Sequence, residues 1–294
     1  MPKRRRENSV RKATALDLKA VDYRSGVPHA RMFLIESSSD LAKGDRELVA
    51  EKIAIPQLAM RFSRARLLAL LEQSLRSCTA TIISGRAGTG KTALALDFAL
   101  NCDRAVTWYK VDAPEADLKS FLQYLVASIR RVLPYFGVET LMPLIRTADA
   151  DQISVLTEAF VYELVEGENK PLLIVIEDLH LVCDSEWLVP FFRPLLPLLP
   201  SNVHMLITSR TMPPAPLWRM RSKQTLSVIT EEYLAFTRQE AIELFESYAL
   251  SSEHATAALD HTQGRAAALA RFALMLAATE KGVSSTAFPA SSAD

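Results

Sequence analysis

Residues Gly85 to Thr92 read GRAGTGKT, a G-x-x-x-x-G-K-T octet followed by Ala93. Glycines in a short loop let the backbone turn tightly and point successive N–H groups inward. Set against the start of a helix, such a loop offers positive partial charge to phosphate oxygens. The spacing assigns phosphate binding to Gly85, Arg86, Ala87, Gly88, Thr89, Gly90, Lys91, Thr92 and Ala93. Lys91 would bring charge to the β- and γ-phosphates of a nucleotide, and Thr92 a hydroxyl to Mg²⁺. The same octet arises by chance as a plain glycine turn, so its surroundings decide.

Two further stretches carry chemistry. In LLIVIEDLH (172–180) an apolar run ends in adjacent acids, Glu177 and Asp178. A strand through the middle of a sheet delivers such acids at its carboxyl end, where open α/β sheets bind ligands. One acid can hold the shell of a magnesium ion, and the next can orient or deprotonate a water for attack on a phosphate. Thr92, Glu177 and Asp178 thus form the candidate metal set. In HMLITSR (204–210) another apolar run ends in Arg210. A guanidinium there can sense a γ-phosphate as a charge and as a hydrogen-bond acceptor, the alternative being a surface ion pair. Asp178, Glu177 and Arg210 are the candidate catalytic residues, with ATP and Mg²⁺ as the implied ligands.

These residues need elements to place them. TATIIS (79–84) reads as a strand that ends at the glycine loop, and a helix starts near Lys91. Further strands are expected at 105–111, 171–178, 203–210 and 226–229. The third is apolar throughout, as for a strand buried on both faces. Helical periodicity covers 65–76, with Ser63 as its cap, then 117–133 and 152–166, and a stretch at 185–198 broken up by prolines. Strands alternating with helices imply parallel βαβ units in a three-layer α/β sandwich. After residue 230 the pattern is helical only. Thr237 with Glu240 spells a capping box, and helices follow at 252–261 and 265–280. Trp108 and Tyr109 read as core, His180 as a hydrogen-bonded structural histidine.

The chain divides into a basic tail and linker (1–50), a core (51–230), a helical lid (231–281) and a C-terminal tail (282–294). Residues 1–12 hold six positive charges and one negative, a solvated tail or, alternatively, an arm touching DNA. Lys plus Arg equals Asp plus Glu, 34 each, which argues against a surface that is basic throughout. Cys78, Cys102 and Cys183 are scattered and read as buried small residues of a reducing compartment. No apolar run reaches membrane-spanning length, and the basic N-terminus lacks a signal core, so the expected place is the cytoplasm.

In this order the stretches resemble the nucleotide-binding module of STAND ATPases, within the AAA+ and related P-loop proteins. More narrowly they are similar to MalT-type, large LuxR-like transcriptional regulators. SGRAGTGKTALAL resembles the Walker A motif, VIEDLHLV the Walker B motif with its trailing histidine, and ITSRTMPPAPLWRMR the arginine sensor and proline-rich turn. KIAIPQL with FSRARLLALLEQ resembles the lead-in segment, VTWYKVDAPEADLKSFLQYLVASI the second strand and its helix, and LAFTRQEAIELF the start of the helical domain. The resemblance covers roughly residues 52–278. It implies a P-loop NTPase sandwich with the Arg210 strand between the P-loop and Walker B strands, followed by a small all-α lid over the nucleotide. It implies an ATP-driven switch, closed with ADP and open with ATP, that self-assembles in the ATP state and acts through a partner protein or output domain. Two departures stand out. The magnesium-holding position of Walker B, usually Asp, is Glu177, and Ser63 stands near the place of a frequent glycine. No winged helix, superhelical sensor or helix-turn-helix is read in the sequence. Arg265, in QGRAAALARFALML, would be a second sensor near the phosphates or part of a core helix. Three functions stay open: a regulatory ATPase switch in signal transduction or transcription, an AAA+ ATPase working on DNA, and a nucleotide-binding scaffold without turnover.

Overall fold

The computed structural model describes residues 48–58, 62–113, 116–147, 152–167 and 170–284. The basic stretch 1–12 and the residues after 284 lie outside these. The described chain opens with a 3-10 turn, Ala50–Ile53. It continues through α1 (Ala65–Ser77), β1 (Ala80–Ser84), α2 (Lys91–Asn101), β2 (Ala105–Lys110), α3 (Leu118–Arg130), α4 (Leu141–Thr147), α5 (Ile153–Glu166), β3 (Leu172–Glu177), α6 (Leu188–Leu198) and β4 (Val203–Ser209). Then come α7 (Ala215–Trp218), β5 (Leu226–Ile229), α8 (Glu231–Leu234), α9 (Arg238–Glu246), α10 (Ser252–Thr262) and α11 (Ala266–Ser284).

The five strands form one parallel sheet in the order β2-β3-β4-β1-β5. The strand that ends at Arg210 therefore lies between the glycine-loop strand and the acid strand. Strands β1, β3 and β4 are buried along their whole length, as central strands covered on both faces are, and β3 is apolar up to Glu177. Alternate residues feed two cores. Tyr109, Ile174, Ile176, Met205 and Ile207 pack against Phe121, Phe160, Phe191 and Phe192 from α3, α5 and α6. Trp108, Leu173, Val175, Leu206 and Ile83 pack against Leu67 and Leu71 of α1 and Leu94 and Phe98 of α2. The result is an α/β three-layer sandwich of the P-loop NTPase type.

The helices after β5 have their own apolar cluster, with Leu244, Phe245, Leu250, Leu269 and Ala273 at its centre. The capping box is present: Thr237 accepts from the Glu240 amide, and Glu240 accepts from the Thr237 amide.

Three expectations need correction. Ser63 does not cap α1; its hydroxyl donates to Asp97 Oδ2 at 2.7 Å, and Arg64 takes the N-cap position without a side-chain cap bond. The prolines do not break α6, which runs unbroken through Pro194 and Pro197. Its buried face of Leu188, Phe191, Phe192, Leu195 and Leu196 holds the helix although each proline removes an N–H donor. The three cysteines are half-buried rather than fully buried free thiols, with Cys102 and Cys183 packed against the two cores.

Candidate functional site

The loop between β1 and α2 is built on two left-handed glycines, Gly88 (φ 79°) and Gly90 (φ 91°). A side chain at either position would be strained in that conformation. It would also press on α11, because a Cβ at Gly88 would stand 3.1 Å from Ala267 Cβ and one at Gly90 3.1 Å from Ala266 Cβ. The loop carbonyls are taken up by protein donors. Lys91 Nζ donates to Gly85 O (2.7 Å) and Arg86 O (3.0 Å), and Thr89 Oγ1 to Arg86 O (2.9 Å). Arg265 Nη2 donates to Ala87 O (2.5 Å), and the Ala267 amide to Gly88 O (2.9 Å). By contrast, among the described residues no protein acceptor takes the amides of Gly88, Thr89, Gly90 or Lys91. Helix α2 begins after Gly90 with no side-chain cap, so its first N–H groups stay open as well.

Register explains how the acids reach this loop. Lys110 pairs with Glu177 and Trp108 with Val175, so Glu177 stands on the sheet face that α2 covers. Its carboxylate is buried and bound at both oxygens. Thr92 Oγ1 donates to Oε1 at 2.5 Å and Trp108 Nε1 to Oε2 at 3.1 Å. Asp178 follows with a left-handed backbone (φ 60°), its amide donating to Thr208 Oγ1 at 3.0 Å. That turn sends the second acid away from the strand direction of the first.

Arg210 leaves the carboxyl end of β4 exposed, and no acceptor binds its guanidinium among the described residues. With Gly88, Gly90, Lys91, Thr92, Ala93, Glu177 and Asp178 it lines a cleft of about 1500 Å³. Burial pulls the Lys91 ammonium below its ordinary pKa and Arg210 adds to this, while Asp178, Glu231 and Glu177 oppose it. His180 Nδ1 lies 3.7 Å from Asp178 Oδ1, too far for a hydrogen bond, and is buried without a partner. Burial lowers its pKa, against the pull of Asp178.

Gly85, Arg86, Ala87 and Thr89 are not in the cleft wall. The Gly85 amide closes on Ser209 O at 3.2 Å, and Arg86 gives both its amide and its side chain to Glu231 of α8. Arg265 touches the outer side of the loop, at Ala87 O. Sequence reasoning missed four contributors. Trp108 is core, as expected, but its indole N–H also holds Glu177. Arg64 and Arg66 both reach Glu240 on α9. Glu231 binds the loop through Arg86. Each lies far in sequence from its partner and has no motif of its own, so no local signal marks it.

The donors suit a nucleotide phosphate: open amides on two left-handed glycines, a buried ammonium and an unpaired guanidinium. Among the described residues no group of three or more His, Cys, Asp or Glu could cage a metal. Two acids and a hydroxyl beside a phosphate cradle suit Mg²⁺, which takes one or two carboxylates plus phosphate oxygens rather than a full protein cage. The AAA ATPase domain model matches residues 61–208, which is just over half of the chain. The chain belongs to the AAA ATPase domain family. This AAA ATPase domain is 29% identical over 231 residues to the HTH-type transcriptional regulator MalT of Serratia proteamaculans, and 29% to that of Yersinia enterocolitica. The match covers 77% of the chain and 25% of each regulator, so the chain spans about a quarter of the length of these relatives. Among solved structures it is similar to a STAND protein with a tetratricopeptide repeat sensor from Pyrococcus horikoshii. There the identity is 20% and the TM-score 0.49, over 72% of this chain and 29% of that one. No helix among the described residues is long and apolar enough to cross a membrane.

Proposed function

We propose that this AAA ATPase domain binds ATP with Mg²⁺ and works as a slow regulatory switch, with residues 51–230 as the ATPase core and 231–281 as its lid. The observation that carries the reading is convergence in one cleft. The open loop amides, Lys91, Thr92, Glu177, Asp178 and Arg210 come from three separate stretches, and α11 sits on the same loop.

Each residue has a task in this reading. The amides of Gly88 to Lys91 and the start of α2 receive phosphate oxygens. Lys91, held now on two loop carbonyls, swings its ammonium to the phosphates. Thr92 and Glu177 would hold the cation, and Asp178 would orient a water and take its proton. Mg²⁺, when bound, neutralises charge on the phosphates. Arg210 reads the terminal phosphate. Because Arg265, just before α11, donates to Ala87 O and Ala267 of α11 to Gly88 O, a change in the loop alters the seat of the lid, and a ligand that favours one seating shifts the population. The MalT relatives are named as HTH-type transcriptional regulators, which supports a regulatory role; in this reading the switch is cytoplasmic, self-assembles with ATP and acts through an output domain.

Calorimetric ATP binding and phosphate release by the wild type, Lys91→Ala and Asp178→Asn test this. Lys91→Ala is expected to lose binding. Asp178→Asn is expected to keep binding and to slow hydrolysis by about 10²-fold or more. Unchanged binding in Lys91→Ala overturns the reading. A scaffold without turnover is the second reading, favoured by the two protein donors that already occupy Glu177. Stable Mg²⁺-ATP binding with no phosphate release decides for it.

A further inference from the structure

We infer that Trp108 is a positioning residue: its indole N–H fixes the Glu177 carboxylate so that a single oxygen faces Thr92 and the cation position. The inference rests on the Mg²⁺-ATP reading above and names how this chain sets its metal affinity. It starts from strand register. Trp108 pairs with Val175 and Lys110 with Glu177, so Trp108 and Glu177 are diagonal neighbours on one sheet face. Such neighbours are within reach of aromatic and long side chains. The two oxygens are then divided between two donors. Trp108 Nε1 holds Oε2 at 3.1 Å, and Thr92 Oγ1 meets Oε1 at 2.5 Å.

Trp108 is well suited to act as a fixed anchor. It is 1% exposed, belongs to the core cluster of Leu173, Val175, Leu206 and Leu94, and lines the cleft, so core packing holds the ring beside the site. Indole N–H can only donate, and a buried donor needs its partner. Glu177 is 5% exposed, and its two oxygens meet these two donors. Residue type matters too. An aspartate at 177 would be shorter by one C–C bond, about 1.5 Å, and could not span from Trp108 to Thr92. Glu177 and Trp108 are thus a matched pair, with the longer acid reaching the donor that the neighbouring strand supplies. Were Trp108 merely a satisfied core residue, losing its N–H would change stability and leave the metal response untouched.

The test uses the full chain. ATP binding is measured first in EDTA, then as Mg²⁺ is titrated in. Trp108→Phe keeps a ring and loses the N–H. It is expected to bind metal-free ATP within about twofold of wild type and to need about tenfold more Mg²⁺ for the same response, the scale seen when a partner behind a metal ligand is removed. Trp108→Phe combined with Glu177→Gln should need no more Mg²⁺ than Glu177→Gln alone. A wild-type Mg²⁺ requirement in Trp108→Phe overturns the inference. If that variant does not fold, Trp187→Phe/Trp218→Phe leaves Trp108 as the sole indole. Its emission is expected to shift when Mg²⁺ is added to the ATP-loaded protein, and an unchanged spectrum overturns the inference equally. Failure of the nucleotide reading is separate: the wild type then binds no ATP in EDTA or in Mg²⁺.

Discussion

Arg64 grips Glu240 with two hydrogen bonds, Nη2 to Oε2 at 2.8 Å and Nε to Oε1 at 3.3 Å. One residue precedes the first core helix; the other closes the capping box of α9. Arg64 also donates to Leu234 O and Ala235 O and lies over the Phe236 ring, 4.0 Å from its centroid. A buried cation thus ties the sheet layer to the helices after β5. Burial tends to raise the Glu240 pKa, but the bonds from Arg64, the Thr237 amide and Arg66 outweigh it and hold it at about 2. The stabilisation is therefore complete above the ordinary glutamate value of 4.5 and is lost as pH falls towards 2. Glu240→Gln keeps the shape and the cap acceptor but leaves Arg64 buried without its counter-charge. Denaturant unfolding should show a loss of about 2 kcal/mol, and Glu240→Ala about 3–5 kcal/mol. A loss below about 0.5 kcal/mol in both variants would remove the clamp from this account.

Gly90→Ala tests the contact between loop and lid. The residue holds φ 91°, and its new methyl would stand 3.1 Å from Ala266 Cβ. Backbone strain alone costs about 1–2 kcal/mol, and α11 must also yield. The expected result is a lower melting temperature together with faster proteolysis after residue 230. Unaltered proteolysis with a lowered melting temperature would confine the effect to the loop.

The sheet was legible because its cues are local: short β-branched runs, an unbroken apolar strand and a glycine loop between strand and helix. The three site motifs were legible for the same reason, and the sheet order brings Lys91, Glu177 and Arg210 to one edge. The contacts made by Trp108, Arg64 and Glu231 were not. Each joins residues 69 to 176 positions apart, and no spacing rule reports such a pair. Ser63 shows the opposite failure, a correct cap residue type whose hydroxyl was taken by Asp97. Competition from tertiary partners decides such cases, and sequence periodicity carries no trace of it.

Arg210→Ala separates recognition from folding. The guanidinium is exposed and unbonded among the described residues, so stability should change by less than about 0.5 kcal/mol. If Arg210 reads a terminal phosphate, the ratio of ATP to ADP affinity should fall by about tenfold, the order of one charge-assisted hydrogen bond. Competition binding with both nucleotides measures it. An unchanged ratio would return Arg210 to the role of a surface cation.

His204 sets the mildly acidic limit of stability. It lies on β4, 2% exposed, with Nδ1 3.2 Å from Cys78 O and Nε2 2.9 Å from Thr81 Oγ1. A carbonyl only accepts, so Nδ1 carries the proton and Nε2 accepts from Thr81. The Thr81 oxygen is then free to accept from Ser74 Oγ at 2.5 Å. A second proton on the ring must enter a buried site, and burial drives the pKa down from 6.5 to about 4, with Arg104 adding to the fall and the Cys78 carbonyl opposing it. The sign follows. Above pH 6.5 the ring is neutral folded and unfolded, and stability does not depend on it. Between 6.5 and 4 the unfolded chain binds the proton and the folded chain does not, so stability falls, by about 3 kcal/mol at most. Unfolding free energies at pH 7.5, 6.0 and 5.0 should decline in that order, and His204→Gln should flatten the slope. An equal slope in His204→Gln would assign the acid sensitivity to other groups, with the half-buried His180 first among them.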